Sequence, residues 1–156
     1  MAGCRTDNVN THFQNHGFDK EVMKKLPLYD SLASVLLENY PSIQPHTNRD
    51  NYYRYIPAED GNDLYRVLPK AGAEKVKQYL TQLGTNCIYG FEIFKDSTIK
   101  ILIRDTYLQA DHLSIRERLS FYPPGSSIRK REFPVKDTTL NKNWQYWIWF
   151  DEDDLF

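Results

Sequence analysis

The stretch NCIYGFEIFKDSTIKILIR, residues 86–104, decides the fold of this 156-residue chain. Apolar side chains recur at every second position in both of its halves, which is the spacing of a strand with one buried face. The polar break Lys95-Asp96-Ser97 separates the halves and supplies turn residues. We therefore expect a β-hairpin. Its core face should carry Cys87, Tyr89, Phe91, Ile93, Ile99, Ile101 and Ile103.

Helical patterns precede the hairpin in the chain. Apolar residues recur at three- and four-residue spacing in segments 19–26, 30–40 and, most clearly, 69–83. Asp19 is a suitable N-cap for the first helix, and Gly84 stands where the residue after a helix is often glycine. Between the second and third helices, residues 41–50 are rich in proline and polar residues, which is typical of a loop.

Strand patterns account for most of the remaining chain. Residues 51–56 form a short aromatic strand, and the weaker alternation in 63–68 indicates its pairing partner. Residues 128–135 include Pro134, which lacks a ladder donor and so favours an edge strand. Residues 144–150, WQYWIWF, are bulky on both faces, so we expect this strand inside the sheet.

Residues 107–122 fit two descriptions. Strict alternation favours a strand with Leu113, Ile115, Leu119 and Phe121 on its apolar face. Helical spacing links Leu108, His112, Ile115, Leu119 and Tyr122 instead. We prefer the strand, and the helix stays open as the alternative.

Together these patterns predict an α+β fold, in which an antiparallel sheet of about five strands carries two to three helices packed on one face. A chain of 156 residues supports one core and leaves little material for a second. Residues 1–17 are polar and lack apolar periodicity. We therefore expect a flexible N-terminal arm over 1–17 and a single domain over 18–156.

Charge and cysteine content narrow the classes of function. Twenty basic and 21 acidic residues give a formal net charge of −1, so only local patches favour nucleic acid or an anionic membrane. No stretch approaches the ~20 apolar residues of a membrane-spanning helix, and no apolar signal region follows the start. With Cys4 and Cys87 alone, a disulfide framework is not expected. We expect a soluble, cytoplasmic protein that does not act at a membrane.

A basic face is one candidate site. If the hairpin pairs with the strand after it, four cations project from one side, and two more extend the patch. Cations beside an aromatic ring such as that of Tyr122 are suited to binding phosphates and stacking a base. The alternative is a solvated face with cross-strand ion pairs. The candidate nucleic-acid or phosphate-binding residues are Lys100, Arg104, Arg116, Arg118, Arg129 and Arg131.

The aromatic and acidic C-terminal strand is the other candidate site. Tryptophan and tyrosine are enriched at the centres of protein interfaces, and the acidic run 151–154 would attract a basic partner. The alternative is that these rings belong to the core. The candidate partner-binding residues are Trp144, Tyr146, Trp147, Trp149, Asp151 and Asp153.

Catalysis and metal binding have less support. Asp105, Asp111, His112 and Glu117 lie close in sequence and include a general base or a hard-metal ligand set. His12 and His16 are spaced for one helix face, but no cysteine or acidic third ligand is near them in sequence. No P-loop, dinucleotide fingerprint, nucleophile elbow or HExxH motif occurs in the chain. We therefore expect no metal site and no cofactor.

These features lead to three hypotheses. The leading one is a small, non-enzymatic binding protein that docks onto an unidentified protein partner through the C-terminal strand. The second is binding of nucleic acid or a phosphate ligand through the basic face. A metal-assisted hydrolase around Asp111 and His112 is the third.

Overall fold

The computed structural model describes residues 2–59, 61 and 63–153, with side chains from residue 8 onward. This part of the chain forms five α-helices and six strands. The helices are α1 (Ala2–Asn15), α2 (Lys20–Lys24), α3 (Leu26–Glu38), α4 (Tyr40–Ile43) and α5 (Lys70–Leu83). The strands are β1 (Tyr52–Tyr55), β2 (Gly90–Phe94), β3 (Ile99–Leu108), β4 (Leu113–Phe121), β5 (Val135–Thr139) and β6 (Trp144–Glu152). The predicted α+β class is confirmed, with one strand more than expected.

The strands form a single antiparallel sheet in the order β1-β2-β3-β4-β6-β5. The expected hairpin is the β2–β3 pair, in which Phe91 lies opposite Ile101 and Ile93 opposite Ile99. Strand β6 lies between β4 and β5, as its bulky faces indicated. Region 107–122 is extended: β4 is a strand, and only Gln109–Asp111 form a single helical turn before it.

The helices cover one face of the sheet, which we call the helix face. Tyr29 of α3 donates a hydrogen bond of 2.6 Å to the carbonyl oxygen of Cys87, which ties this helix to the chain entering β2. The hydrophobic core between the layers includes Leu32, Leu36, Ala73, Val76, Phe91, Ile93, Ile99, Ile101, Ile103, Leu119 and Ile148. The other side of the sheet is the open face, and it carries the polar side chains considered below.

Helix α1 occupies the segment expected to be an arm. Its Phe13 ring lies 5.4 Å from that of Phe150 on β6, and 5.2 Å from that of Phe133. The ammonium group of Lys136 donates to the carbonyl oxygens of Phe13 and His16 at the end of the helix. Contacts with residues more than 100 positions away leave no periodic pattern in the local sequence, so helix α1 was not expected.

Three local predictions were wrong. Residues 63–68 contain a single turn of 3-10 helix at Leu64–Arg66, because the Asp63 carboxylate accepts a hydrogen bond from the backbone N–H of Tyr65. Segment 41–50 contains part of α4 and a second such turn rather than only loop. The edge strand β5 begins at Val135, so most of 128–135 precedes it.

A β-bulge in β3 changes which side chains share a face. Leu102 lies opposite Arg118 of β4, but two residues later Arg104 lies opposite Glu117. One extra residue in β3 therefore places both Ile103 and Arg104 on the helix face. Beyond the bulge, Asp105 takes the position on the open face that simple alternation gives to Arg104.

Gly90 lies where β2 passes close to β1. A Cβ atom there would lie 2.6 Å from the carbonyl oxygen of Tyr55 and 2.8 Å from Cγ1 of Ile56. Because a backbone atom cannot rotate away, we expect Gly90→Ala to lower the free energy of unfolding by about 1–3 kcal/mol in urea denaturation. Gly17→Ala is the control, since no atom lies within 4 Å of its added carbon. Equal stability of the two variants would contradict this close approach.

Candidate functional site

Two cavities lie on the open face and share Lys100 as a wall. The first, of about 230 Å³, is lined by side chains from β1, β2, β3, β4 and β6. The second, of about 350 Å³, extends toward the segment that leads from β4 to β5. We call the two together the open-face groove. Its walls include Arg54, Tyr89, Glu92, Lys100, Asp105, Arg116, Arg118, Trp147 and Trp149 in the first cavity, and Ser120, Tyr122, Arg129 and Arg131 in the second.

The pairing of β4 with β6 brings the two candidate sites of the sequence together. Arg118 lies opposite Trp147, and Arg116 lies opposite Trp149. The guanidinium carbon of Arg116 is 5.1 Å from the centre of the Trp149 ring. That of Arg131 is only 4.0 Å from the centre of the Trp147 ring. The basic residues and two of the tryptophans therefore form one surface of stacked cations and indoles.

Carboxylates compensate part of the positive charge of the groove. Glu92, which is buried, contacts both Arg54 at 2.7 Å and Lys100 at 3.6 Å. Arg118 pairs with Asp105 at 2.6 Å, and Arg116 pairs with Asp151 at 3.1 Å. Three carboxylates thus serve these four cations. The second cavity adds Arg129, Arg131 and Asp96, and Asp137 lies beside Arg131 and accepts a hydrogen bond from its backbone N–H. Six cations therefore meet five carboxylates around the groove, an excess of one positive charge.

The electrostatic environment of Lys100 reflects this excess. Burial lowers the pKa of Lys100; its contact with Glu92 opposes this effect, whereas the positive charges of Arg118 and Arg131 add to it. Charged Lys100 is therefore held in a less favourable setting than in water. An anion placed in the groove would relieve that cost.

Tyr89 lines the groove although it was expected on the core face. Strand β2 begins at Gly90, so the alternation of the strand does not extend back to Tyr89. Its hydroxyl donates a hydrogen bond of 3.0 Å to Asp105. Burial raises the pKa of Tyr89 to about 12, so the hydroxyl stays protonated at neutral pH.

The segment between β4 and β5 closes one end of the groove. The guanidinium of Arg131 donates to Gln145 at 3.0 Å and to the hydroxyl of Tyr122 at 3.4 Å. Its backbone N–H donates to Asp137 at 2.6 Å. The amide of Gln145 donates in turn to the carbonyl oxygen of Arg129 at 2.7 Å. These bonds hold Arg131 over the open face of the sheet, next to other cations of the predicted basic face.

Arg104 does not belong to the basic face, contrary to expectation. The bulge directs its side chain to the helix face, where its Nε lies 3.2 Å from the carboxylate of Glu117. The same guanidinium donates to Asp19 and to the carbonyl oxygen of Asn86. Tyr146 donates a hydrogen bond of 2.6 Å to the other oxygen of Glu117. Arg104 therefore neutralises a buried acid rather than facing a ligand.

The candidate residues of the C-terminal strand are divided between the two faces. Trp144 and Tyr146 have no exposed surface, so they are core residues rather than surface residues. Trp147 is 6% exposed, and its indole N–H donates to Ser120 at 2.8 Å. Trp149 is half-buried on the open face. Of the acidic residues, Asp151 pairs with Arg116, Asp153 accepts from the Tyr107 hydroxyl, and Asp154 lies outside the described residues.

The residues of the hydrolase hypothesis are not brought together. Asp105 lies on the open face and Glu117 on the helix face. Asp111 contacts His12 of α1 at 2.9 Å, and His112 adopts a left-handed backbone conformation with φ of 49° in the turn before β4. In the described ranges, no three His, Cys, Asp or Glu side chains are grouped to hold a metal ion.

Several groove residues were missed from the sequence. Arg54 and Glu92 lie opposite each other in the β1–β2 pair, and Asp105 reaches the groove because of the bulge. The alternation of Arg54 between Tyr53 and Tyr55 was visible. This alternation does not by itself predict an ion pair, because a charged residue pairs only with the residue opposite it, and that residue depends on the neighbouring strand and its register.

No protein-family model, no curated protein and no solved structure matches the chain. Across the described ranges, no helix is long and apolar enough to cross a membrane. What the open-face groove does is therefore inferred from its own residues.

Proposed function

We propose that this is a binding protein that holds an anionic ligand in the open-face groove. The observation that carries the proposal is the position of Lys100, which forms a wall of both cavities and has Arg118 and Arg131 near it. Only one carboxylate, that of Glu92, contacts Lys100 within the described part of the chain. A bound phosphate, sulfate or carboxylate would complete the charge balance there.

This proposal replaces the C-terminal strand as the main binding element. Of its four aromatic candidate residues, two are in the core, and a third is almost fully covered by Arg131 and Ser120. The basic side chains, in contrast, meet in one concavity. We also place the protein in the cytoplasm, because the chain has two cysteines and Cys87 is a buried free thiol.

Docking to a protein partner is the second candidate, and one observation favours it. A depression of about 340 Å³ at the end of β6 is lined by Phe133, Trp149, Phe150, Asp151 and Glu152, among others. Phe133 is 52% exposed, which is high for a large aromatic ring. An apolar side chain flanked by basic residues on a partner would fit this mixture of aromatic and acidic groups.

Thermal unfolding with a panel of anions tests the main proposal. The panel contains pyrophosphate, an oligoglutamate peptide and an oligouridylate. A ligand present at 100 times its Kd stabilises a protein by ~2.7 kcal/mol, so we expect at least one of them to raise Tm by roughly 5–10 °C. Lys100→Gln should abolish most of that increase, because it removes the charge common to both cavities.

The control variant is Lys75→Gln, which removes the same charge from an exposed position on α5, on the other side of the sheet. It should respond to the anions as the natural chain does. Unliganded Lys100→Gln should be at least as stable as the natural chain, since burial disfavours the charged lysine. If no anion raises Tm, or if both variants respond equally, the groove is not an anion-binding site.

A further inference from the structure

We infer that the anionic ligand is single-stranded nucleic acid, with a base stacked at Trp149 and its phosphates along the cations of the groove. This inference rests on the function proposed above and names the class of ligand. It follows from the length of the groove, from the placement of its aromatic rings and from one buried hydrogen-bond donor of Arg116 that has no acceptor among the described residues.

The groove is long enough for a chain of several charges. Its cations extend from Arg54 on β1 through Lys100 on β3 to Arg116 and Arg118 on β4, with the acidic Glu92 on the intervening β2, and Arg131 lies over Trp147 of β6. Four strand spacings of ~4.8 Å separate β1 from β6, so the line of cations extends over roughly 19 Å. An isolated phosphate uses only one or two of these positions, whereas a polyanion uses them all.

The aromatic rings favour a nucleobase over an acidic peptide. Trp149 is half-buried on the open face, with the guanidinium of Arg116 stacked 5.1 Å from its ring centre. Planar bases stack on indole rings and on guanidinium planes, and the stacking does not depend strongly on base identity. A glutamate side chain has no planar apolar surface to use this platform. Phosphate contacts combined with stacking are the usual basis of single-strand binding.

Arg116 is not fully satisfied by the protein. Its terminal nitrogen pairs with Asp151, but its Nε is buried and has no hydrogen-bond partner among the described residues. A buried hydrogen-bond donor without an acceptor costs free energy, so a hydrogen bond from this nitrogen to a phosphate oxygen would stabilise the complex. The side chain is 39% exposed, which leaves it room to turn toward a phosphate.

Fluorescence anisotropy with a labelled oligouridylate of about ten nucleotides tests the inference. We expect binding that weakens steeply with salt. Trp149→Ala should raise Kd about tenfold, and Trp149→Phe should restore most of the affinity. Arg116→Gln should raise Kd and reduce the slope of log K against log salt by about 0.7, the loss of one phosphate contact. Lys75→Gln should change neither quantity.

Three unlabelled competitors distinguish failure of this inference from failure of the proposed function. They are the oligouridylate annealed to oligoadenylate, an oligoglutamate of equal charge, and pyrophosphate. The inference expects all three to compete poorly. If the duplex or the oligoglutamate competes as well as the single strand, or if Trp149→Ala binds normally, the ligand is another anion and only the inference fails. If no probe binds and no probe raises Tm, both fail.

Discussion

Replacement of Trp144 by alanine should strongly destabilise the protein rather than remove a binding site. Trp144 has no exposed surface, and its ring lies 5.2 Å from that of Phe121 and 6.4 Å from that of Tyr29. Its indole N–H donates a hydrogen bond of 3.0 Å to Asp30 of α3. Truncation leaves a large cavity, so we expect a loss of about 3–5 kcal/mol in the free energy of unfolding; the exposed Asp30 carboxylate adds little, because water replaces the lost donor.

Trp149→Ala provides the matched control, because it makes the same truncation on the open face of the same strand. Trp149 is half-buried and packs beside Arg116 rather than in the core. Its loss should cost about 1 kcal/mol or less. Chemical denaturation monitored by circular dichroism measures both variants. If the two variants have similar free energies of unfolding, Trp144 is not a core residue and is again a candidate for the partner-binding surface.

Replacement of Arg104 by methionine should be the second most damaging change. Glu117 is 1% exposed, and its carboxylate is held by Arg104 and by the hydroxyl of Tyr146. Removal of Arg104 leaves a buried negative charge with the Tyr146 hydroxyl as its donor and the His16 ring 3.8 Å away. Breaking one side of a buried ion pair is strongly destabilising. We expect a loss of about 3 kcal/mol, at the lower end of the usual range, because Arg104 itself is 35% exposed.

A double variant separates the charge from the packing. Arg104→Met combined with Glu117→Gln removes both charges and keeps an oxygen that accepts from the Tyr146 hydroxyl, so it should recover much of the lost stability. Arg66→Met is the control for an exposed pair: Arg66 is 81% exposed beside Asp63, and its loss should cost less than about 1 kcal/mol. If the double variant is no more stable than Arg104→Met, the buried charge is not the cause.

The effect of the bulge is the clearest case in which tertiary structure decided the site. Strict alternation places Lys100, Leu102 and Arg104 on one face, and this is what the sequence of β3 predicts. One extra residue between the pairing positions moves Arg104 to the core side and Asp105 to the groove. A bulge depends on how two strands fit over the whole sheet, so no pattern within β3 indicates it.

The sequence by itself determined the elements whose side chains repeat locally. The β2–β3 hairpin, helix α5 and the buried face of β4 follow from periods of two and 3.6, because alternation over a few residues decides which side is apolar. Strand β6 is bulky on both faces, so its sequence did not indicate which face is buried. The tertiary structure alone decided the strand order and the docking of α1. It also decided that two tryptophans of β6 lie beside three arginines in the groove, namely Trp147 and Trp149 beside Arg116, Arg118 and Arg131. Those features depend on pairing between residues far apart in the chain, and local periodicity carries no information about which distant strand lies opposite.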